Sequence, residues 1–394
     1  MPVPRSLYVA LFVLTASFGV VFTLLAELQD EVGFGISSLG LIAGIAFFTS
    51  VAAQLLVAPA ADRGKARLLL VGSVVVGAIA SAWFALAGST VELVAARALA
   101  GLGIGSFQPA ARAVVAAIDP ERAGTRLGRL SAVETAGFVS GPVLAAGVFE
   151  LWGIDAPFWL LAILLVACIP WLVRARLPDM GANLAVTAAV RSRREVVRAI
   201  VGRRDAIAAI LIGGALFLPA GMYEAIWARF MSDLGASTFF VGFTLSMYGV
   251  PFALTAALGG GFIDSRGPRR AALIAVAIVV PLTMVYGQIT APLLLMMLAM
   301  VEAVGNGLGL PASQAAMSAA TQAGEHAAGQ GLVAAAGQIG AGFASLFAAP
   351  LYAAFGPGPM FIAVALVVFA LGGLGLWIGR SPAGRLETQR AQGL

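Results

Sequence analysis

Four glutamates and one arginine stand inside otherwise apolar stretches of the chain: Glu27, Glu134, Glu224, Glu302 and Arg97. Burial makes a carboxylate hold its proton more readily, and a neighbouring arginine opposes that effect. Such groups suit the uptake and release of a proton. Other chemistry is poorly provided for. The single histidine, His326, and single cysteine, Cys168, leave no histidine-based metal cluster and no intramolecular disulfide. No nucleophile–base constellation and no G-x-x-x-x-G-K-[ST] phosphate loop is visible. The expectation is therefore no catalytic site, no metal and no cofactor.

Depth within each stretch separates the candidates. Glu302 is near the middle of its stretch, four residues before Asn306, so both share one helical face. Glu224 adjoins Tyr223 and lies near Trp227, towards the outer third. Glu27 precedes Asp30 and Glu31 closely, which leaves an exposed mouth position open as its alternative. Glu134 shares a face with Gly137 and Gly141, a small-residue surface where two helical bundles are expected to meet. Arg97, about six residues into a stretch, is costly in lipid by roughly 2.5–3.5 kcal/mol. It should face a cavity or a carboxylate, or else reach to the surface. Phe217, Tyr223, Trp227 and Tyr248 are candidates to line an apolar cargo site, with packing as the alternative. Polar groups in mid-stretch are few, chiefly Gln108, Asn306, Gln314 and Gln338, too few for a sugar-binding cavity.

The elements that must position these groups follow from composition. The chain is 60 % hydrophobic and only 11 % charged, where a water-facing surface needs roughly 25 % charged residues. A soluble fold would expose large apolar patches. The lipid bilayer is therefore the expected environment. A helix crosses it with about 20 apolar residues. Such runs occur at 7–26, 37–59, 68–88, 91–111, 128–149 and 157–173, and again at 206–228, 239–262, 271–289, 291–313, 330–353 and 359–379. Their continuous apolarity excludes the alternating strands of a barrel. With the N-terminus inside, every basic residue except Arg97 and Arg229 falls in an inside segment, as the positive-inside rule requires. Both termini are thus expected in the cytoplasm. The net charge of +5 reads as this topology signal; no polar domain exists to carry nucleic acid.

The organisation expected is a bundle over 1–174, a cytoplasmic loop over 175–205, a second bundle over 206–380 and a tail over 381–394. Within the loop, residues 190–201 place arginines on one side and Val and Ile on the other, an amphipathic helix at the cytoplasmic surface. The halves repeat: Asp62 aligns with Asp264, Glu31-Val32-Gly33 with Asp233-Leu234-Gly235, and Gly40 with Gly242, all at one offset. A parallel repeat of six spans builds transporters with a site between the halves and alternating access.

At these residues the chain resembles the major facilitator superfamily over nearly its whole length. Ala58-Pro-Ala-Ala-Asp62-Arg63-Gly64-Lys65-Ala66-Arg67 and Gly260-Gly-Phe-Ile-Asp264-Ser265-Arg266-Gly267-Pro268-Arg269 match the family's loop motif, the second copy more closely. The first lacks the leading glycine. The resemblance implies that Asp62, Arg63, Arg67, Asp264 and Arg269 latch the halves in one conformation; a topology anchor is the alternative. Arg97 followed by Gly101 and Gly103 resembles the fourth-span motif, although Ala100 stands where glutamine is usual. Gly128, Gly137, Gly141 and Pro142 reproduce the spacing of the family's antiporter signature, with Ala145-Ala146 replacing its closing glycines. This is most similar to the twelve-span drug:proton antiporters, although the first span lacks prolines frequent there. The fold so implied is all-α, with twelve helices in two pseudo-symmetric six-helix bundles. It also places Glu27 and Arg97 on cavity-lining helices, where they are expected to pair.

The resulting expectation is a multi-pass inner-membrane protein and a monomer. Its partners would be protons and a hydrophobic or amphiphilic small molecule, moved outward in exchange. A symporter of a nutrient or metabolite is the alternative on the same fold. A lipid-handling enzyme or a sensor is the alternative of another class.

Overall fold

The computed structural model describes residues 3–118, 122–178, 193–322 and 324–379. The tail over 381–394 and most of the central loop lie outside these residues. Among the described residues, twelve helices are long and apolar enough to cross a membrane. We number them α1 (Arg5–Val32), α2 (Ser37–Leu56), α3 (Arg63–Leu86), α4 (Thr90–Ile118), α5 (Gly124–Trp152) and α6 (Asp155–Val173). The second set comprises α7 (Arg204–Asp233), α8 (Thr238–Leu258), α9 (Pro268–Gln288), α10 (Pro292–Ala320), α11 (His326–Phe355) and α12 (Pro357–Ile378). They run longer than the apolar stretches suggest. Polar ends such as Gln29-Asp30-Glu31 continue α1 beyond its apolar run, because helical hydrogen bonding satisfies the backbone at the interface too.

The two sets are built alike. Within the first, α1 packs on α5 and α6, α2 on α4, and α3 on α4 and α6; within the second, α7 packs on α11 and α12, α8 on α10, and α9 on α10 and α12. The turns repeat as well. Gly33, Gly64 and Gly153 adopt φ of 77°, 81° and 83°, and Gly235, Gly267 and Gly356 adopt 80°, 82° and 78° at the matching connections. Only glycine enters this left-handed region without steric cost, so the same residue recurs at the same turn.

Contacts between the halves run through α2 with α11, α5 with α8, and α1 with the latter part of α7. Small residues permit them. A Cβ on Gly44 of α2 would lie 2.9 Å from Gly342 O of α11, and one on Gly242 of α8 would lie 2.6 Å from Pro142 O of α5. Ser246 of α8 donates to Val139 O (2.6 Å) and accepts from Val143 N–H (3.3 Å), where Pro142 interrupts the α5 ladder. All these contacts lie away from the end where α1 begins and α12 finishes. At that proximal end, Gly128, Gly260 and Gly331 face nothing within 4 Å. The close approaches just named thus lie towards the distal end.

The amphipathic segment is a helix over Arg193–Val201. Its apolar residues Val196 and Ile200 pack on Ala206, Ala209, Met317 and Val333. Its apolar face is therefore turned to the second bundle. At the start of α7, Arg203 donates to Glu325 and to Ala320 O (3.0 Å). The hydrogen bond to Glu325 raises the Arg203 guanidinium above its ordinary value.

Candidate functional site

Arg97 and Glu224 are both fully buried and form an ion pair. Arg97 comes from α4 and Glu224 from α7, so the pair ties one half to the other. The pairing of Arg97 with Glu27 expected from the sequence is not formed. Glu27 instead accepts a hydrogen bond from Thr238, at the start of α8. The twist of α7 turns Glu224 towards Arg97.

That twist has a local cause. Pro219 removes one backbone donor from α7, and Tyr223–Trp227 then winds as a π-helical turn. Such turns are wider than α-helix and occur frequently at functional sites. This one points two adjacent side chains to different neighbours, Tyr223 to Glu302 and Glu224 to Arg97. Gly221 allows the same stretch to press against the backbone of Ala341 in α11.

The guanidinium has further partners. Its Nη1 donates to Phe18 O (3.1 Å), and its carbon stands 4.0 Å from the centroid of the Phe18 ring, a cation–π contact. Nevertheless, Arg97 Nε and Glu224 Oε2 have no hydrogen-bond partner among the described residues. A bidentate arginine–carboxylate pair would use both. Removing two charges from water costs several kcal/mol per ion, and a pair joined at one point recovers less of that. The bridge is well placed but incompletely satisfied.

Glu302 of α10 is held differently. It accepts from Tyr223 of α7, from Tyr286 at the end of α9 (2.6 Å) and from Asn306 Nδ2 (3.3 Å). The same Nδ2 donates to Tyr248 of α8 (2.7 Å). Trp227 stacks edge-on against Tyr223 and Tyr286 and donates its indole N–H to Thr244 (2.9 Å). Of the expected aromatics, Tyr223 bonds this carboxylate directly, Tyr248 is linked to it through Asn306, and Trp227 packs on the tyrosines. Tyr286 was missed. The chain has only five tyrosines, and that scarcity was the available signal for it.

Phe217 lies apart from this cluster. It meets Phe47 of α2 across the halves, with ring centroids 6.4 Å apart, and lies against Gly337. Nearby, Gln54 donates to Gln338 (3.2 Å), joining α2 to α11. Glu134 is not where the halves meet. It accepts from Gln108 (2.6 Å) and Arg112 (3.0 Å) of α4, inside the first half. The glycine face also departs from expectation: Gly137 and Gly141 receive α1, at Phe12 and Ala16. It is Val139 and Pro142, on another side of α5, that meet α8. Gly128 is exposed, and a Cβ there would meet nothing within 4 Å. Periodicity grouped these residues correctly but could not say which helix each group faces.

Among the described residues, those expected to latch the halves make no contact between them. Arg67 donates to Val173 O (2.7 Å) and Ala175 O (2.9 Å), capping α6 of its own half. Arg63, Asp264 and Arg269 are exposed. The side chain of Asp62 lies outside the described part of the structure.

Distally the closure is reinforced at the surface. Arg229 of α7 pairs with Asp30 of α1 (2.8 Å) and with Asp233 (2.7 Å), and Tyr352 donates to Asp233 (2.6 Å).

Comparison with known proteins agrees with this architecture. The family profile described as Major Facilitator Superfamily matches residues 7–228 and 209–393. "Multidrug resistance protein MdtG" of Klebsiella pneumoniae (strain 342) is 25 % identical over 316 residues, covering 77 % of this chain and 75 % of the relative. The protein of that name from Dickeya zeae (strain Ech586) is 25 % identical over 326 residues, covering 79 % and 78 %. Among solved structures, the nucleoside transporter NupG (D323A mutant) superposes with a TM-score of 0.79 at 14 % identity, covering 95 % of this chain and 99 % of that one. A bacterial homolog to the human lysosomal transporter Spinster, inward-facing and unoccupied, gives 0.79 at 15 % identity, covering 95 % and 96 %. Likeness at such identity concerns the fold alone.

Proposed function

Because the chain belongs to the Major Facilitator Superfamily, a family of secondary transporters rather than of enzymes, we propose that it exports hydrophobic or amphiphilic small molecules in exchange for protons. That it is a multi-pass membrane transporter working by alternating access follows from the family and the fold. The direction, the coupling ion and the cargo are our reading. In this reading the arginine-rich proximal end faces the cytoplasm, and the close contacts between the halves lie on the opposite side of the membrane. Cargo would then enter from the cytoplasm or the inner leaflet.

The observation that carries the reading is the Arg97–Glu224 pair across the halves, one residue from the Tyr223–Glu302 cluster. Opening the distal end requires Glu224 to leave Arg97. A carboxylate does so at tolerable cost only if it gains another partner, a proton or a cationic cargo. Two ligands competing for one carboxylate, each stabilising the released state, give exchange: one leaves as the other binds. Glu302 stands ready as a second acceptor inside the aromatic cluster. Tyr223, Trp227 and Tyr248 offer faces to an apolar or cationic molecule. The curated relatives named for multidrug resistance support the same cargo class.

The test is transport in liposomes under an imposed pH gradient, following protons and a panel of lipophilic cations. Opposed fluxes, lost in Glu224→Gln and Glu302→Gln, are expected. Co-directional flux would overturn the exporter in favour of a symporter.

A further inference from the structure

We propose a binding site for an anionic phospholipid between α9 and α12, outside the transport pathway. A cavity of about 420 Å³ is lined by Arg266, Arg269, Arg270, Leu273 and Leu376. A second, of about 360 Å³, is lined by Leu273, Val276, Val280, Phe369, Gly373, Leu376 and Trp377 among others. Leu273 and Leu376 belong to both, so the two are one continuous depression: three cations at its mouth and an apolar trough beyond.

The sequence positions explain the shape. Arg266 ends the helical extension of α8, Gly267 turns the chain at φ 82°, and Arg269 and Arg270 occupy the first turn of α9. Leu273, Val276 and Val280 follow at helical spacing on one face of α9. Phe369, Gly373 and Leu376 do the same on α12, where Gly373 has no neighbour within 4 Å of a Cβ position and keeps the trough open. From Arg270 to Pro281 the trough descends about 16 Å at 1.5 Å per residue. That is about half the hydrocarbon thickness of a bilayer, the reach of one leaflet.

The charge is uncommitted. No described residue forms an ion pair or hydrogen bond with Arg266, Arg269 or Arg270, all of them exposed, although Asp264 stands two residues before Arg266. A topology anchor needs positive charge anywhere in the segment. It does not need that charge at the head of an apolar trough. The occupant whose chemistry matches both parts is a phospholipid with a net negative headgroup, its phosphate at the arginines and an acyl chain in the trough.

Trp377 supplies the reporter. The full-length protein is reconstituted in phosphatidylcholine vesicles containing chain-brominated phosphatidylglycerol, or brominated phosphatidylcholine in equal amount, and tryptophan fluorescence is measured. Stronger quenching by the anionic lipid is expected, and this excess should vanish in Trp377→Phe. Each arginine near the membrane surface favours an anionic lipid by about fivefold. Arg269→Gln should therefore cost about fivefold in apparent selectivity, and the combined Arg266→Gln, Arg269→Gln, Arg270→Gln variant should abolish it. Gly373→Leu fills the trough with the arginines intact and should also abolish the excess. Removing Arg174, Arg176 and Arg194 instead, the same charge elsewhere, should leave it unchanged. Equal quenching by the two brominated lipids overturns the proposal, as does equal loss in the distant triple variant. Displacement by millimolar inorganic phosphate alone, with no dependence on the acyl chain, would identify an ion site and overturn the lipid. None of these readouts depends on which cargo is transported.

Discussion

Glu224 and Glu302 are both carboxylates buried completely in the second half of the molecule, yet they are held by opposite means. Glu224 faces a full positive charge from the other half, at one point of contact, with one oxygen left over. Glu302 faces neutral donors from its own half, two tyrosines and an asparagine, which surround it from α7, α9 and α10. The first arrangement is sensitive to the relative position of the halves. The second moves as part of one bundle and keeps its partners when the halves rock. The exchange we propose uses both: one group sensitive to the relative position of the halves and another whose environment stays with its own bundle.

The hardest way to break this contrast is to remove one member of the bridging pair. Arg97→Met should lower stability by about 3–5 kcal/mol, because Glu224 loses its buried partner in an apolar interior. A thermal-unfolding measurement in detergent checks it, and Glu224→Gln should act likewise. The double variant Arg97→Met, Glu224→Gln should recover most of the loss in stability while remaining inactive. Additive single effects would mean that the pair is not a unit.

Glu302→Gln should be gentler. The amide oxygen still accepts from the tyrosines, so a loss of about 1.5–3 kcal/mol of charge-assisted hydrogen bonding is expected. Proton-coupled flux should nevertheless vanish while exchange of labelled cargo across a membrane without a gradient persists. Loss of both would assign Glu302 to binding rather than coupling.

Steric closure offers a third test. Gly44→Leu should overpack the α2–α11 contact by about 1–3 kcal/mol and shift the population towards the distally open state. Distances between spin labels on the α1–α2 and α7–α8 connections would then lengthen. At the small end, Arg229→Gln removes a partly exposed pair with Asp30, worth about 0–1 kcal/mol. Transport should fall by no more than a few-fold, in contrast with Arg97. If Arg229 and Arg97 were equally sensitive, burial would not be what distinguishes the two bridges.

Much of the architecture was legible beforehand. The twelve apolar runs became the twelve spans, because a helix in lipid needs length and apolarity more than any particular partner. Gly33 and Gly235, aligned by the repeat, make the same left-handed turn. The candidate residues were less legible. Arg97 needs a partner and Glu224 is among those available, but the outer-half position of Glu27 and the cavity-lining helices implied by the resemblance point to Glu27 instead. Gly137 and Gly141 were recognised as a surface for close approach, yet they receive α1 rather than the other half. The tyrosine shell of Glu302 draws on residues up to 79 positions away, and periodicity within one helix carries no information about such neighbours.

By itself, then, the sequence determined the solvent, the number of spans, the twofold repeat and the handful of charges that cannot be explained by either. Those properties are local sums: apolar length, turn residues and the distribution of arginines. The tertiary structure alone decided which charge meets which. Which carboxylate meets Arg97 depends on the rotation of its helix about the bundle axis. That rotation is fixed by the π-helical turn after Pro219 and by Gly221 against Ala341. Close packing between helices distant in sequence selected Glu224 as the partner of Arg97.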